Sequence, residues 1–201
     1  MSMRVIAGTY GGREIRTVEG PGYRPATAKV RQAVFSMLEA RGVDWSCARV
    51  LDLFAGSGSL GIEALSRGAQ TVWFVEKNPR AADCLRGTLR DLRVPESCFR
   101  VFQADLLKLL ARPAKEAFDV LFIDPPYGLD LLPPALLKAV RGDWIAPEAF
   151  VLAEVEARAD LAGNVPAQLI PQTDRLYGQT RIILWQNKIP DSPSTPAPSI
   201  P

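Results

Sequence analysis

Between residues 49 and 186 the chain alternates short apolar runs with stretches of helical spacing, and this restricts the possible folds more than any other feature. Residues 49–54, 70–75, 99–102, 118–123 and 150–154 read as strands. Helical patterns near 60–67, over 79–92, near 106–110 and around 134–140 separate them. A parallel neighbour requires a crossover, so the repeated units predict a mostly parallel sheet with helices on both faces, an α/β fold. Two late runs, near 167–171 and 178–186, have no helical pattern between them. They are expected to pair antiparallel, which brings the sheet to seven strands. Ligands of such sheets bind outside the carboxyl ends of the strands, at a topological switch point.

Ahead of this unit, runs at 3–7 and 13–18 flank Gly8-Thr9-Tyr10-Gly11-Gly12 and predict a small β-hairpin. Pro25-Ala26-Thr27 opens a helix with Val30, Val34 and Leu38 on one face and Arg31 off that face; Gly42 is a plausible stop. Three segments result: a hairpin and helix extension at 1–42, an α/β domain at 43–186, and a tail at 187–201. The tail holds five of the 17 prolines and no apolar periodicity, so disorder is expected there. Arg4, Arg13, Arg16, Arg24, Lys29 and Arg31 face only Glu14 and Glu19 within residues 1–31, whereas the whole chain carries a net charge of +2. A basic arm on a near-neutral body points to a polyanionic partner at that end.

Several chemistries are excluded. The chain has no histidine, which removes imidazole bases, His-based triads and His-ligated zinc. Cys47, Cys84 and Cys98 are odd in number and widely spaced, which argues against a disulfide framework or a structural zinc site and fits a reducing cytosol. No metal is expected. Neither a secretory leader nor an apolar run of membrane-spanning length is seen, so the expectation is a cytoplasmic protein without a membrane partner.

Two stretches carry chemistry. Asp52-Leu53-Phe54-Ala55-Gly56-Ser57-Gly58 passes from strand to helix through a glycine-rich turn, whose backbone can approach a ligand closely and aim helix N-terminal amides at it. Glu76, followed by Lys77, ends the next strand, where a carboxylate can take a ribose diol. To this point a nicotinamide dinucleotide and S-adenosylmethionine fit equally. Asp52 favours the latter, since an acid there could answer a cationic ammonium but would repel a pyrophosphate. Ala104-Asp105 offers a further acceptor for an adenine amine, or a helix N-cap. The second stretch is Asp124-Pro125-Pro126-Tyr127, directly after a buried strand. The prolines stiffen the exit and leave carbonyls without local amide partners. A carboxylate and a carbonyl oxygen can then accept both hydrogens of an amine on a flat heterocycle while an aromatic ring stacks on it.

With these motifs in order, the chain resembles the Rossmann-like class I S-adenosylmethionine-dependent methyltransferases that act on amino groups. Within that class, Arg24-Pro25-Ala26-Thr27-Ala28-Lys29-Val30-Arg31-Gln32-Ala33-Val34-Phe35 is similar to the N-terminal helix of the bacterial enzymes that methylate guanine N2 in 16S ribosomal RNA. Leu53-Phe54-Ala55-Gly56-Ser57-Gly58 with Glu63-Ala64-Leu65-Ser66-Arg67-Gly68-Ala69, and Arg175-Leu176-Tyr177-Gly178-Gln179-Thr180 near the end, are similar to the corresponding parts of the same family. The resemblance spans residues 3–186 and implies a set of roles. Asp52, Phe54, Ala55, Gly56, Ser57, Gly58, Glu76, Lys77, Ala104, Asp105 and Asp124 would surround S-adenosylmethionine. Asp124, Pro125, Pro126 and Tyr127 would hold the guanine. Arg24, Lys29 and Arg31 would face phosphates of 16S ribosomal RNA, in a 30S subunit assembly intermediate or as RNA, with the protein acting as a monomer. A DNA adenine-N6 methyltransferase shares the chemistry but usually carries a target-recognition domain, for which these residues leave no room. A dehydrogenase would leave the Asp124–Tyr127 stretch without a role.

Overall fold

In the computed structural model, residues 3–18, 27–126, 128–159, 161 and 163–188 are described. The expected proline-rich tail lies outside them apart from Asn187 and Lys188. The element order is β1 (Met3–Arg4), β2 (Glu14–Ile15), α1 (Ala28–Glu39), β3 (Arg49–Leu53), α2 (Ser59–Ser66), β4 (Thr71–Glu76), α3 (Pro79–Asp91), β5 (Phe99–Gln103), α4 (Leu106–Leu110), β6 (Phe118–Ile123), α5 (Leu132–Arg141), β7 (Ile145–Glu156), β8 (Leu169–Tyr177) and β9 (Thr180–Asn187). Thr27 caps α1 by accepting the Val30 amide, and Asn78 caps α3 by accepting those of Arg80 and Ala81 ahead of a proline in the first turn.

Seven strands form one sheet in the order β5-β4-β3-β6-β7-β9-β8. β3 pairs in parallel with both β4 and β6, whereas β9 runs antiparallel between β7 and β8. The chain leaves β3 toward one edge and returns at β6 toward the other. The topological switch therefore lies between the carboxyl ends of β3 and β6.

Alternation along the strands divides the core. Val50, Phe74, Phe122 and Leu152 project to the face packed by α1, α2 and α3. Leu51, Val75, Ile123 and Ala153 project to the face packed by α4 and α5. Val5 and Ile15 of the extension join the first cluster, so the hairpin and α1 share a core with the sheet.

Some boundaries differ from expectation for identifiable reasons. The hairpin strands are two residues each: the Val5 amide still donates to the Arg13 carbonyl, but those of Ile6 and Ala7 donate to the Glu63 carboxylate, and that of Arg16 to the Thr88 hydroxyl. β8 extends to Tyr177 through a polar run, which an edge strand tolerates. β7 begins at Ile145, ahead of the expected 150, and passes through a positive φ of 61° at Glu148.

Candidate active site

The first half of the site is the turn between β3 and α2. Phe54, Gly56 and Gly58 have φ of 61°, 55° and 76°, so the chain leaves β3 through left-handed backbone, and Phe54 adopts it without a glycine's freedom. A β-carbon on Gly58 would lie 2.3 Å from Leu85 Cδ1. The Ala55 amide donates to the Val75 carbonyl, the Gly58 amide to the Ala55 carbonyl, and the Ser57 hydroxyl lies 3.9 Å from Met3 Sδ. Glu76 holds the turn from the neighbouring strand. Its Oε2 accepts the Gly56 amide at 2.8 Å and its Oε1 the Asn78 amide at 2.7 Å. Asp52, 2% exposed, accepts the Gly61 amide at 2.9 Å. Burial pushes its carboxyl up to about 7, against that hydrogen bond and with a smaller push from Glu76.

At the end of β5, the Ala104 amide donates to the Glu76 carbonyl. Asp105 caps α4 through the amides of Leu107 and Lys108, and exposed Lys77 approaches its other oxygen at 3.5 Å. The expected N-cap role of Asp105 is thus present in the fold.

The second half follows β6. The Asp124 amide reaches the Leu53 carbonyl at 3.5 Å, which sets the start of the Asp-Pro-Pro turn against the end of β3. Asp124 is partly exposed, Pro125 buried and Pro126 partly exposed. A cavity of about 550 Å³ opens beside the two prolines, lined across from them by Val155, Glu156, Arg158 and Leu161. Burial raises the Asp124 carboxyl well above the ordinary range, and the negative charges of Glu154 and Asp52 raise it further. Glu154, 4% exposed near the end of β7, is also pushed up to about 7 by burial, opposed by the positive charge of Arg31.

The expected site residues from Asp52 through Gly58, Glu76, Lys77, Ala104, Asp105 and Asp124 through Pro126 all lie at or just beyond the carboxyl ends of β3, β4, β5 and β6. Arg24 and Tyr127 lie outside the described residues. Lys29 is exposed. Arg31 is a correction: placed by sequence off the apolar face and toward phosphate, it is 2% exposed, and its guanidinium donates to the Arg4 carbonyl at 2.7 Å. Burial lowers its proton affinity, against the charges of Glu63 and Glu154. Glu154 was not expected at the site. The available signal was a carboxylate two residues after Leu152, in phase with core-facing Phe150 and Leu152.

A parallel sheet with a glycine turn after its central strand, an acid ending the next strand and an Asp-Pro-Pro turn at the switch point defines a Rossmann-like methyltransferase architecture. The family described as Conserved hypothetical protein 95 matches residues 3–186. The chain is 35% identical to "Ribosomal RNA small subunit methyltransferase D" of Haemophilus influenzae over 77% of this chain and 79% of that protein. It is 32% identical to the protein of the same name from Escherichia coli over 92% and 90%. The solved structure called "Putative methyltransferase yhhF", from Escherichia coli, superposes with a TM-score of 0.82 at 30% identity, covering 94% of this chain and 99% of that one. The chain belongs to the family of ribosomal RNA small subunit methyltransferase D. Among the described residues no helix is long and apolar enough to cross a membrane.

Proposed function

We propose that this protein transfers a methyl group from S-adenosylmethionine to the exocyclic N2 amine of a guanine in 16S ribosomal RNA, as RNA or within a small-subunit assembly intermediate. The observation that carries the reading is the charge inside the switch-point crevice. Asp52, Asp124 and Glu154 are three acids gathered under it, with Arg31 as a buried cation acting on Glu154. Such surroundings favour a cationic ligand and oppose a pyrophosphate. S-adenosylmethionine carries a sulfonium and an ammonium, so the donor set fits it, whereas a nicotinamide dinucleotide would bring negative charge to the same place. The names of the curated relatives support ribosomal RNA as the acceptor.

In this reading Glu76 and Asp105 take the ribose diol and the adenine amine, the glycine turn lets backbone approach the cofactor, and Asp52 places negative charge beneath the turn. The cofactor supplies an electrophilic methyl group. The chain's own residues make the acceptor reactive. A guanine amine is a weak nucleophile because its lone pair is delocalised into the ring. Asp124 and the Pro125 carbonyl accept its two hydrogens and turn the lone pair out of conjugation, toward the methyl. With the cofactor bound, the amine would take its methyl group as the carbon–sulfur bond is given up, and Asp124 would accept the surplus N2 proton and pass it to water. No imidazole is needed. A cavity within the size range of a small ring system opens beside Pro125 and Pro126, and a paired guanine must be unstacked to bring its amine to Asp124. Exposed Lys29 would meet phosphate, adding salt-dependent affinity without sequence preference.

The deciding experiment incubates the protein and labelled S-adenosylmethionine with 30S particles lacking the mark, followed by nucleoside analysis. N2-methylguanosine is expected. Label in N6-methyladenine, or transfer to duplex DNA alone, would overturn the guanine assignment. Asp124→Ala should lose roughly 10²–10³ in rate, the usual effect of removing one polar group aimed at the reacting atoms, with a much smaller loss of cofactor affinity.

A further inference from the structure

Glu154 is absent from both stretches that first pointed to the site, yet the sheet delivers it there. β6 and β7 pair in parallel with Ile123 opposite Ala153, so the next residue of each, Asp124 and Glu154, continue the same register. Paired residues project to the same face, and neighbouring strands lie only about 4.8 Å apart. Alternation fixes which face this is. Phe122 and Leu152, two residues before each acid, belong to the cluster packed by α1, and Asp52 is in phase with Val50 of that cluster. Asp52, Asp124 and Glu154 therefore project from three adjacent strands toward the helix that carries Arg31.

Arg31 acts on Glu154 from that helix. It is 2% exposed on α1, its guanidinium is tied to the Arg4 carbonyl, and it feels the charges of Glu63 on α2 and Glu154 on β7. Glu63 has its own obligations to the Ile6 and Ala7 amides and to Arg67. The Arg31 charge is thus shared between Glu63 and Glu154, and at Glu154 it opposes the upward push of burial.

We infer that Glu154 is a positioning residue for Asp124: it projects beside Asp124 from the adjacent strand, below the helix that carries Arg31, and fixes the direction in which the Asp124 carboxyl faces the amine. The inference rests on the methyl-transfer reading. During transfer, the proton freed from N2 passes to an Asp124 oxygen and then to water, while Glu154 stays bound in place and makes Asp124 a better acceptor. The groups that set this behaviour are Glu154 on β7, Asp52 on β3, Arg31 on α1 and, through Arg31, Glu63 on α2.

The test compares the full-length protein with Glu154→Gln, which keeps shape and removes charge, and Glu154→Asp, which keeps charge and shortens reach. Carbon-13 NMR of the Asp124 carboxyl, recorded without RNA, should show titration well above the ordinary range in the parent, a clear downward shift in Glu154→Gln, and a largely restored value in Glu154→Asp. With 30S acceptor, Glu154→Gln should lower kcat by about 10-fold to 100-fold, less than loss of a group touching the reacting atoms, and by more than it lowers cofactor affinity. The acid limb of its kcat profile should move to lower pH, following Asp124. An Asp124 titration that Glu154→Gln leaves in place overturns the inference. So does a kcat loss matched by loss of cofactor binding and thermal stability, which would mark a merely structural role. If the parent transfers no methyl group to 30S while the NMR shift is present, the methyl-transfer reading fails and the Glu154–Asp124 coupling survives it.

Discussion

Glu76 Oε2 accepts the Gly56 amide at 2.8 Å, so the acid that ends β4 is a brace for the glycine turn after β3. Its other oxygen takes the Asn78 amide at 2.7 Å, ahead of α3. A residue expected only to meet a ribose therefore also builds the surface on which the ribose would lie. Glu76→Ala should leave two amides unpaired, each costing about 1–3 kcal/mol if water cannot reach it. Glu76→Gln keeps one carbonyl acceptor and should lose about half as much. Calorimetric titration with S-adenosylhomocysteine and denaturant melts of both variants check this. Wild-type affinity in Glu76→Ala would contradict the double role.

The glycines of the turn differ in what they forbid. Gly58 combines a φ of 76° with a β-carbon position 2.3 Å from Leu85 Cδ1, whereas Gly61 lies within α2 with its β-carbon position 2.3 Å from Phe74 Cε1. Gly58→Ala meets both backbone strain, about 1–2 kcal/mol, and overpacking. Gly61→Ala meets overpacking alone, typically about 1–3 kcal/mol, against a ring that is part of the sheet. Gly58→Ala is expected to be the more damaging of the two to ligand binding, because it moves the turn itself. Gly61→Ala should lower stability with a smaller change in affinity. Equal loss of affinity in both would contradict this division.

The sequence revealed what is periodic and local. Strand β6 and helix α4 fall where their residue patterns end, and the acids after β3, β4, β5 and β6 are legible because each follows an apolar run. Arg31 was misplaced because it follows Val30 and precedes Val34, Phe35 and Leu38: read with only Val30, Val34 and Leu38, it falls outside the stripe. Yet Arg31, Phe35 and Leu38 are themselves at helical spacing, and all three are buried. What makes the burial tolerable is charge from Glu63 and Glu154, on elements far away in sequence, and no local pattern announces such a partner. The short hairpin has the same cause, since the amides of Ile6 and Ala7 leave the ladder for Glu63.

Stability should depend on pH in an unusual direction. Asp52 and Glu154 are pushed up to about 7 in the fold, above unfolded values of about 3.9 and 4.3. Between those limits the folded chain holds more protons than the unfolded one. The stabilisation is complete below the unfolded values and is lost as pH rises through about 7. The lowered acids Asp44, Asp105 and Asp174 act oppositely, but only in the acid range below their ordinary values. Moving from pH 5.5 to pH 8 should therefore lower Tm, by about 2–4 °C for each kcal/mol lost in a domain of this size. Asp52→Asn, whose amide oxygen can still accept from Gly61, should flatten the slope. A Tm that climbs over this interval would contradict the assignment.

The extension is tied to the sheet layer by Glu63, which is fully buried on α2. Its carboxylate accepts the Ile6 amide at 2.7 Å and the Ala7 amide at 3.1 Å, and pairs with Arg67 at 3.0 Å. Arg67 in turn reaches Glu39 of α1 at 2.6 Å and lies over the Phe35 ring at 4.8 Å. One side chain thus closes the contact among hairpin, α1 and α2. Removing it leaves two amides unpaired and a mostly buried guanidinium with Glu39 as its remaining carboxylate partner. Glu63→Ala should cost about 3–5 kcal/mol, as loss of one partner of a buried ion pair does. Glu63→Gln keeps a single carbonyl acceptor and should fall between that and the parent. Hydrogen exchange separates local from global effects. The Ile6 and Ala7 amides should lose protection in both variants, while β3 and β6, which do not contact Glu63 through hydrogen bonds, should open only as far as the global stability falls. Unchanged protection at Ile6 and Ala7 in Glu63→Ala would mean that the apolar packing of Val5 and Ile15 alone holds the extension in place.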